Sequence, residues 1–340
     1  MFTTPFETKI ASSGRVLIAG CGGGYDVFAG LPLYHELNKS KTVFLANLSF
    51  TDNLCKRNGR RFTEFCVEVL PEHKFEPPLN NSGNSTEQDP QDYFPELLLA
   101  KAINSPVYAF RLTGVQTLRD AYRELIQKLD VDTIVLVDGG HDALCFGDEE
   151  ELGTPEEDMI NIMAVNGIDS VPNKFLVCIG LGIEAEVSEY QFLENVADIK
   201  KIGGFLGCSH LTEEMESVQF YKNIFMNCRP SDSCINSSIV VSLDGNYGNV
   251  RPKWIERRLE VSDSYLFAQP LAQMYWFFSL DKVAKRNIFA LCEDLEKSGD
   301  FHEASRAIKE HLETSKLVRY DFDNGKWEYI GTRPSKLMFE

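Results

Sequence analysis

Long hydrophobic runs are missing from this 340-residue sequence, and basic residues are outnumbered. No apolar stretch approaches the roughly 20 residues that a membrane-spanning helix needs, so we expect no span and no membrane partner. Residues 1–13 lack the charged-then-apolar order of a secretory signal. The 34 basic residues face 51 acidic ones, for a net charge of −17. That charge disfavours binding to the like-charged backbone of a nucleic acid.

Paired cysteine spacings are also missing. The nine cysteines are scattered, and none belongs to a Cys-x-x-Cys pair. An odd number of cysteines without a secretory signal favours reduced thiols and predicts a cytoplasmic location. The apolar fraction of 43% and the charged fraction of 25% are typical of a globular chain with a substantial core.

Two standard phosphate-binding motifs do not occur at the glycine cluster of residues 20–24. The cluster lacks the Gly-Lys-Ser/Thr ending of a P-loop, which disfavours ATPase chemistry of that type. The third glycine of a Gly-x-Gly-x-x-Gly fingerprint would fall on Tyr25 or Val27, so the match to a dinucleotide motif is weak.

The position of the glycine cluster in the chain indicates its local structure. It follows the apolar run 15–19 and precedes a helix-compatible stretch, an order typical of a strand, a tight turn and a helix. We expect the backbone N–H groups of Gly22, Gly23 and Gly24 to hold the anionic end of a ligand. Asp26 is expected either to cap the helix or to bind a sugar hydroxyl.

Short apolar runs alternate with helical patterns over the first two-thirds of the chain, which predicts an α/β fold. We expect a Rossmann-like, mostly parallel sheet with helices on both faces and a helical C-terminal extension. Residues 1–252 are assigned to this ligand-binding domain, and 253–340 to an extension with a terminal hairpin packed on it. The predicted strands are Val16–Gly20, Thr42–Leu48, Val107–Leu112, Thr133–Val137, Lys174–Ile179 and Ser238–Leu243.

A second cluster, residues 138–142, directly follows the strand predicted at 133–137. Ligands bind at the carboxyl ends of strands in doubly wound sheets, so both clusters are expected to face one pocket if their strands are neighbours. The predicted catalytic residues are Asp138, His141 and Asp142, and a divalent metal (Mg or Mn) is expected on Asp138, Asp142 and Asp148. Turn chemistry is the alternative explanation for Asp and Gly at strand ends.

Other candidate ligand-binding residues lie in the loops that follow the predicted strands. Gly139 and Gly140 belong to the second cluster, and Gly182 and Glu184 follow the strand at 174–179. His210 adds an imidazole, for which a structural or capping role is the competing interpretation.

The chain resembles a family of uncharacterised proteins, domain of unknown function 1152. The residues that carry this resemblance are 20–27, 138–142, 147–149 and 152–158. The resemblance extends over roughly residues 14–280. It implies a Rossmann-like α/β fold, and it brings no reaction and no catalytic residue.

These observations predict an enzyme that acts on a nucleotide, phosphosugar or similar polar metabolite by metal-assisted hydrolysis or group transfer. Asp138 and Asp142 would orient a water molecule or act as a general base. One alternative is an enzyme that uses NAD or S-adenosylmethionine, with adenine near 48–51. The other is a non-catalytic ligand-binding protein. A small molecule is the expected partner, and a homo-oligomer is compatible with the sequence.

Overall fold

A mixed sheet of nine described strands runs through the centre of the protein, with helices on both faces, as predicted. The computed structural model describes residues 3–51, 60–72, 93–147, 149, 155–183, 187–228, 232–252, 254, 265–314, 317–321 and 326–331. None of the helices described there combines the length and the hydrophobicity that a membrane span requires. The eight cysteines located there are all free thiols.

The secondary structure follows the predicted alternation closely up to residue 226. The strands are β1 (Arg15–Gly20), β2 (Thr42–Ser49), β3 (Arg60–Arg61), β4 (Cys66–Val69), β5 (Val107–Arg111), β6 (Thr133–Asp138), β7 (Asn173–Cys178), β8 (Phe205–His210), β9 (Gly248–Val250), β10 (Leu266–Ala268), β11 (Met274–Ser279), β12 (Leu317–Asp321) and β13 (Lys326–Gly331). The helices are α1 (Pro5–Ile10), α2 (Asp26–Ala29), α3 (Leu31–Leu37), α4 (Pro95–Ile103), α5 (Val115–Leu129), α6 (Pro155–Asn166), α7 (Glu189–Lys201), α8 (Glu216–Met226), α9 (Cys234–Leu243), α10 (Leu280–Arg286), α11 (Glu293–Glu296) and α12 (Phe301–Thr314).

The strand order of the sheet is β3-β4-β5-β2-β1-β6-β7-β11-β8. The five strands from β5 to β7 are parallel, and antiparallel pairs extend the sheet at both edges. Among these five, the order along the sheet is third, second, first, fourth and fifth in the chain, which is the order of a doubly wound fold. Val16 of β1 pairs with Val43 of β2 and with Thr133 of β6, so the two predicted ligand loops leave adjacent strands.

The sheet separates two hydrophobic cores. Leu17 of β1 belongs to the core that contains α5 and α6, whereas Val16 belongs to the core that contains α2, α3 and α4. The chain therefore leaves β1 toward one face and leaves β6 toward the other. A crevice opens at such a switch point, and ligands bind there in folds of this kind.

Beyond residue 226, long-range contacts change the interpretation of one predicted strand and of the boundary set at residue 252. The strand predicted at Ser238–Leu243 is wrong, because this segment lies in α9, where the Ser233 hydroxyl accepts the N–H of Asn236 at the first turn. The apolar run is continuous because the helix is buried around its circumference, and periodicity cannot tell such a helix from a buried strand. The sheet also crosses the boundary set at residue 252, because β11 lies between β7 and β8.

Candidate functional site

The glycine turn between β1 and α2 folds around the protein's own carboxylate. The N–H of Gly22 donates to Asp26 Oδ2 at 2.7 Å, and the backbone of Gly139 and of Gly23 also hydrogen-bonds to this carboxylate. The N–H of Gly24 donates to the carbonyl oxygen of Leu48 at 3.3 Å. In this arrangement, amides that were expected to hold a ligand anion hold Asp26.

The glycines leave little room for a side chain on either side of that carboxylate. A Cβ on Gly22 would stand 3.0 Å from Asp26 Oδ2, and one on Gly139 would stand 2.9 Å from Asp26 Oδ1. The glycine loops after β1 and β6 are therefore brought together by one acidic side chain. The neighbouring position of the two strands makes this contact possible.

Three carboxylates converge at the crevice. Oxygen atoms of Asp26, Asp138 and Asp158 all lie within 4.8 Å of one another. Asp138 ends β6 and Asp158 lies in the first turn of α6, and both side chains are buried. The Asp138 carboxylate is held by the N–H groups of Gly140 at 2.7 Å and Ala143 at 3.1 Å. A set of hard oxygen donors at this spacing suits a divalent cation such as Mg²⁺ or Mn²⁺.

The electrostatics of this triad favour a bound positive charge. Burial raises the pKa of Asp26 to about 7, and the charge of Asp142 adds to the increase. The backbone hydrogen bonds to Asp26 act in the opposite direction and do not cancel the effect of burial. A cation would relieve the repulsion among these carboxylates, since an opposite charge within a few ångströms favours the ionised form.

Two buried thiols border the triad. Burial is the main cause that raises the pKa of Cys21 and of Cys178 well above the usual value, and nearby aspartates raise both further. A thiol hydrogen bond to Asp158 contributes for Cys21, and one to Asp138 contributes for Cys178. Both residues are therefore protonated at neutral pH, which disfavours a nucleophilic role for Cys21.

Buried amides hold the turn in place from two sides. The Asn161 amide on α6 donates to the carbonyl oxygen of Cys21, and its own oxygen accepts the Tyr122 hydroxyl at 2.9 Å. The Asn47 amide on β2 donates to the carbonyl oxygen of Gly24 at 2.7 Å and to Glu96 Oε1 at 2.8 Å. Burial raises the pKa of Glu96 to about 7.

Asp158, Asn161, Asn47 and Glu96 were not among the predicted site residues. Asn47 is a polar residue inside an apolar strand, and Asp158 and Asn161 share one side of α6 because they are three residues apart. Those two signals were available in the sequence. Glu96 is separated from the glycine turn by dozens of residues, and no local pattern identifies it.

Two of the predicted catalytic residues of the second cluster, Asp142 and His141, have different surroundings. Asp142 is nearly buried and raises the pKa of Asp26, so its charge acts at the triad. The His141 ring packs edge-on against Phe192, with Nε2 2.7 Å from the carbonyl oxygen of Val187. Burial lowers the pKa of His141, so the ring is neutral at pH 7 and serves the contact with the start of α7.

Of the remaining predicted residues, Gly140 contacts the triad through its N–H bond to Asp138, Gly182 and His210 belong to other loops and strand ends, and two lie outside the described residues. Gly140 accepts the N–H of Ile179 at 3.2 Å, which joins the loops after β6 and β7. Gly182 has a φ of +76°, and a Cβ there would overlap the side chain of Gln269. His210 is exposed at the end of β8, where it pairs with Met274. Asp148 and Glu184 lie outside the described residues.

Comparison with known proteins gives one match. The family model described as "Protein of unknown function (DUF1152)" matches residues 77–319, more than two-thirds of the chain. The match includes Asp138 and Asp158, extends well beyond residue 280, and begins after the glycine turn. No curated protein and no solved structure matches the chain.

Proposed function

Because the chain belongs to the DUF1152 family, whose description names no activity, we propose a function from the geometry of the site. The protein is an enzyme that acts on a phosphorylated small metabolite, a nucleotide or a phosphosugar, by metal-assisted hydrolysis or group transfer. The observation that carries this proposal is the convergence of Asp26, Asp138 and Asp158 within 4.8 Å at the switch point of a doubly wound sheet.

The carboxylates at the crevice take two different roles in this proposal. Asp26, Asp138 and Asp158 hold a divalent cation, which would polarise a phosphoryl oxygen and lower the pKa of a water molecule. Asp142 is the nearby carboxylate that remains to orient water or to accept its proton. In this proposal the metal held by the triad binds the anionic end of the substrate. That role was expected from the sequence for the Gly22–Gly24 amides.

A cofactor-dependent enzyme is the second candidate, and the sheet order favours it. A glycine turn after the first strand of a doubly wound sheet is where dinucleotides bind. The acidic residue that binds the ribose in such proteins follows the second strand; the described residues there end at Thr51, and Asp52 lies outside them. In addition, the Asn47 amide is already bonded to Gly24 and Glu96.

Calorimetric titration with Mn²⁺ tests the proposal directly. Asp158→Asn should weaken Mn²⁺ binding roughly 100-fold or more, because even residues behind metal ligands contribute factors of 10 to 100. Asp120→Asn is the matched control, since Asp120 is an exposed aspartate on α5 that pairs with Arg123. Equal Mn²⁺ affinities of the two variants would contradict the proposal. Stabilisation of the metal-free protein by NAD or S-adenosylmethionine would support the second candidate.

A further inference from the structure

An exposed aromatic ring stands beside the glycine turn. Phe50 directly follows β2, and 41% of its surface is exposed, whereas Leu48 and Ser49 before it are buried. Exposed rings that are scattered over a surface need no explanation. This ring lies at the carboxyl end of a parallel strand next to the switch-point crevice, where ligands of doubly wound proteins bind.

One edge of the Phe50 ring is supported by bare backbone. A Cβ on Gly23 would stand 3.0 Å from the ring, and one on Gly24 would stand 3.4 Å from it and 2.7 Å from the Tyr93 hydroxyl. Both glycines have positive φ angles, +93° and +58°. The turn thus has no side chains of its own there, and Phe50 and Tyr93 occupy the space that those side chains would fill.

The same turn connects the ring to the carboxylate triad. Gly22, the residue before Gly23, donates its N–H to Asp26, and the N–H of Gly24 donates to Leu48, two residues before Phe50. A single ligand that lies across the turn can therefore contact the metal centre at one end and the ring at the other. A flat apolar face recognises a flat π-system, and a phosphosugar without a base offers none.

We infer that Phe50 is the stacking platform for the base of a nucleotide whose phosphate lies at the Asp26–Asp138–Asp158 centre. This inference rests on the proposed function and narrows its substrate class from phosphorylated metabolites to nucleotides. Phe50 acts as a binding and specificity residue, and no step of the reaction is assigned to it.

Titration in the presence of Mn²⁺ separates the base from the phosphate. The probes are AMP, GMP, CMP and UMP, each compared with ribose 5-phosphate, which has the sugar and the phosphate without the base. The wild-type protein should bind at least one nucleotide roughly tenfold more tightly than ribose 5-phosphate, within the range expected for stacking on one aromatic side chain. In Phe50→Ala, this preference should fall to within about twofold, and the affinity for Mn²⁺ should not change.

Two further variants keep the test specific. Phe50→Trp should retain the nucleotide preference, and its indole fluorescence should be quenched by the nucleotide and not by ribose 5-phosphate. Phe267→Ala removes another partly exposed ring, on β10, and should bind nucleotides as the wild type does. Urea unfolding of Phe50→Ala confirms that the variant is folded, as expected for an exposed position.

The outcomes distinguish the inference from the function on which it rests. Equal wild-type affinity for ribose 5-phosphate and all four nucleotides would overturn the inference and leave the metal-assisted function standing. Survival of the nucleotide preference in Phe50→Ala would do the same. A wild-type protein that binds neither Mn²⁺ nor any of the phosphates would overturn both.

Discussion

Glu149 and the Asp26–Asp138–Asp158 triad are both buried acidic sites, but their surroundings differ. The Glu149 carboxylate accepts the N–H groups of Phe146 at 2.7 Å and Gly147 at 2.8 Å. It also accepts the amide of Asn195 at 2.7 Å and the thiol of Cys145 at 3.0 Å. A carboxylate with this many donors is a structural junction, and here it joins the loop after β6 to α7.

In the triad, by contrast, three carboxylates lie close enough to repel one another. Backbone donors hold Asp26 and Asp138 in place, but the oxygen atoms of all three aspartates remain within 4.8 Å. Folding alone gains nothing from such repulsion, which supports the proposal that a ligand supplies the compensating charge. The comparison teaches that the neighbouring charges of a buried acid, more than its burial or its backbone donors, indicate whether it stabilises the fold or is a candidate for ligand binding.

The largest effect is expected from Glu149→Ala. Removing this carboxylate leaves the N–H groups of Phe146 and Gly147 buried without an acceptor, and the Asn195 amide keeps only its bond to the carbonyl oxygen of Leu144. The cost in the free energy of unfolding should be roughly 4 kcal/mol. Urea unfolding in metal-free buffer measures this cost. A loss below about 1 kcal/mol would mean that Glu149 is not a structural junction.

Glu96 is intermediate between Glu149 and the triad. It is a buried acid with an amide partner, and its pKa is about 7 in place of 4.5. The native state binds this proton more tightly than the unfolded state. The contribution of Glu96 to the free energy of unfolding is therefore fully present below pH 4.5 and is lost as the pH rises through 7, by on the order of 3 kcal/mol. Glu96→Gln should remove this part of the slope.

The measurement for Glu96 is a series of urea unfolding curves between pH 4.5 and 8 for the wild type and for Glu96→Gln. Asp26, with its own raised pKa, contributes in both proteins, so the difference between the two profiles isolates Glu96. Parallel profiles would show that Glu96 titrates in the folded protein as it does in the unfolded chain.

The smallest effect, and the most diagnostic one, concerns Asp158→Asn without metal. Neutralising one of three repelling carboxylates should raise the free energy of unfolding by about 1 kcal/mol, as is common where a binding site is destabilised for function. Saturating Mn²⁺ should reverse the order, because the wild type gains more binding energy from the metal than the variant does. Destabilisation of metal-free Asp158→Asn would place Asp158 in the same structural class as Glu149.

Part of this site could be predicted from the sequence. The glycine turn, Asp26 and Asp138 were identified because turns after apolar strands meet at one edge of a parallel sheet, and β1 and β6 are indeed neighbours. Asp158 was missed because a helix start with acidic residues in its first turn explains it without function. The predicted metal set, Asp138, Asp142 and Asp148, shares Asp138 with the described triad, which draws on three separate elements.

The sequence by itself determined the local succession of strand, turn and helix, because hydrophobic periodicity and glycine turns act over a few residues. That succession fixes the α/β class and the edge of the sheet at which the predicted ligand loops lie. Only the tertiary structure decided which carboxylates meet, that β11 enters the sheet between β7 and β8, and that 234–243 is a helix. These features depend on contacts between residues far apart in the chain, where the energy of packing exceeds any local preference.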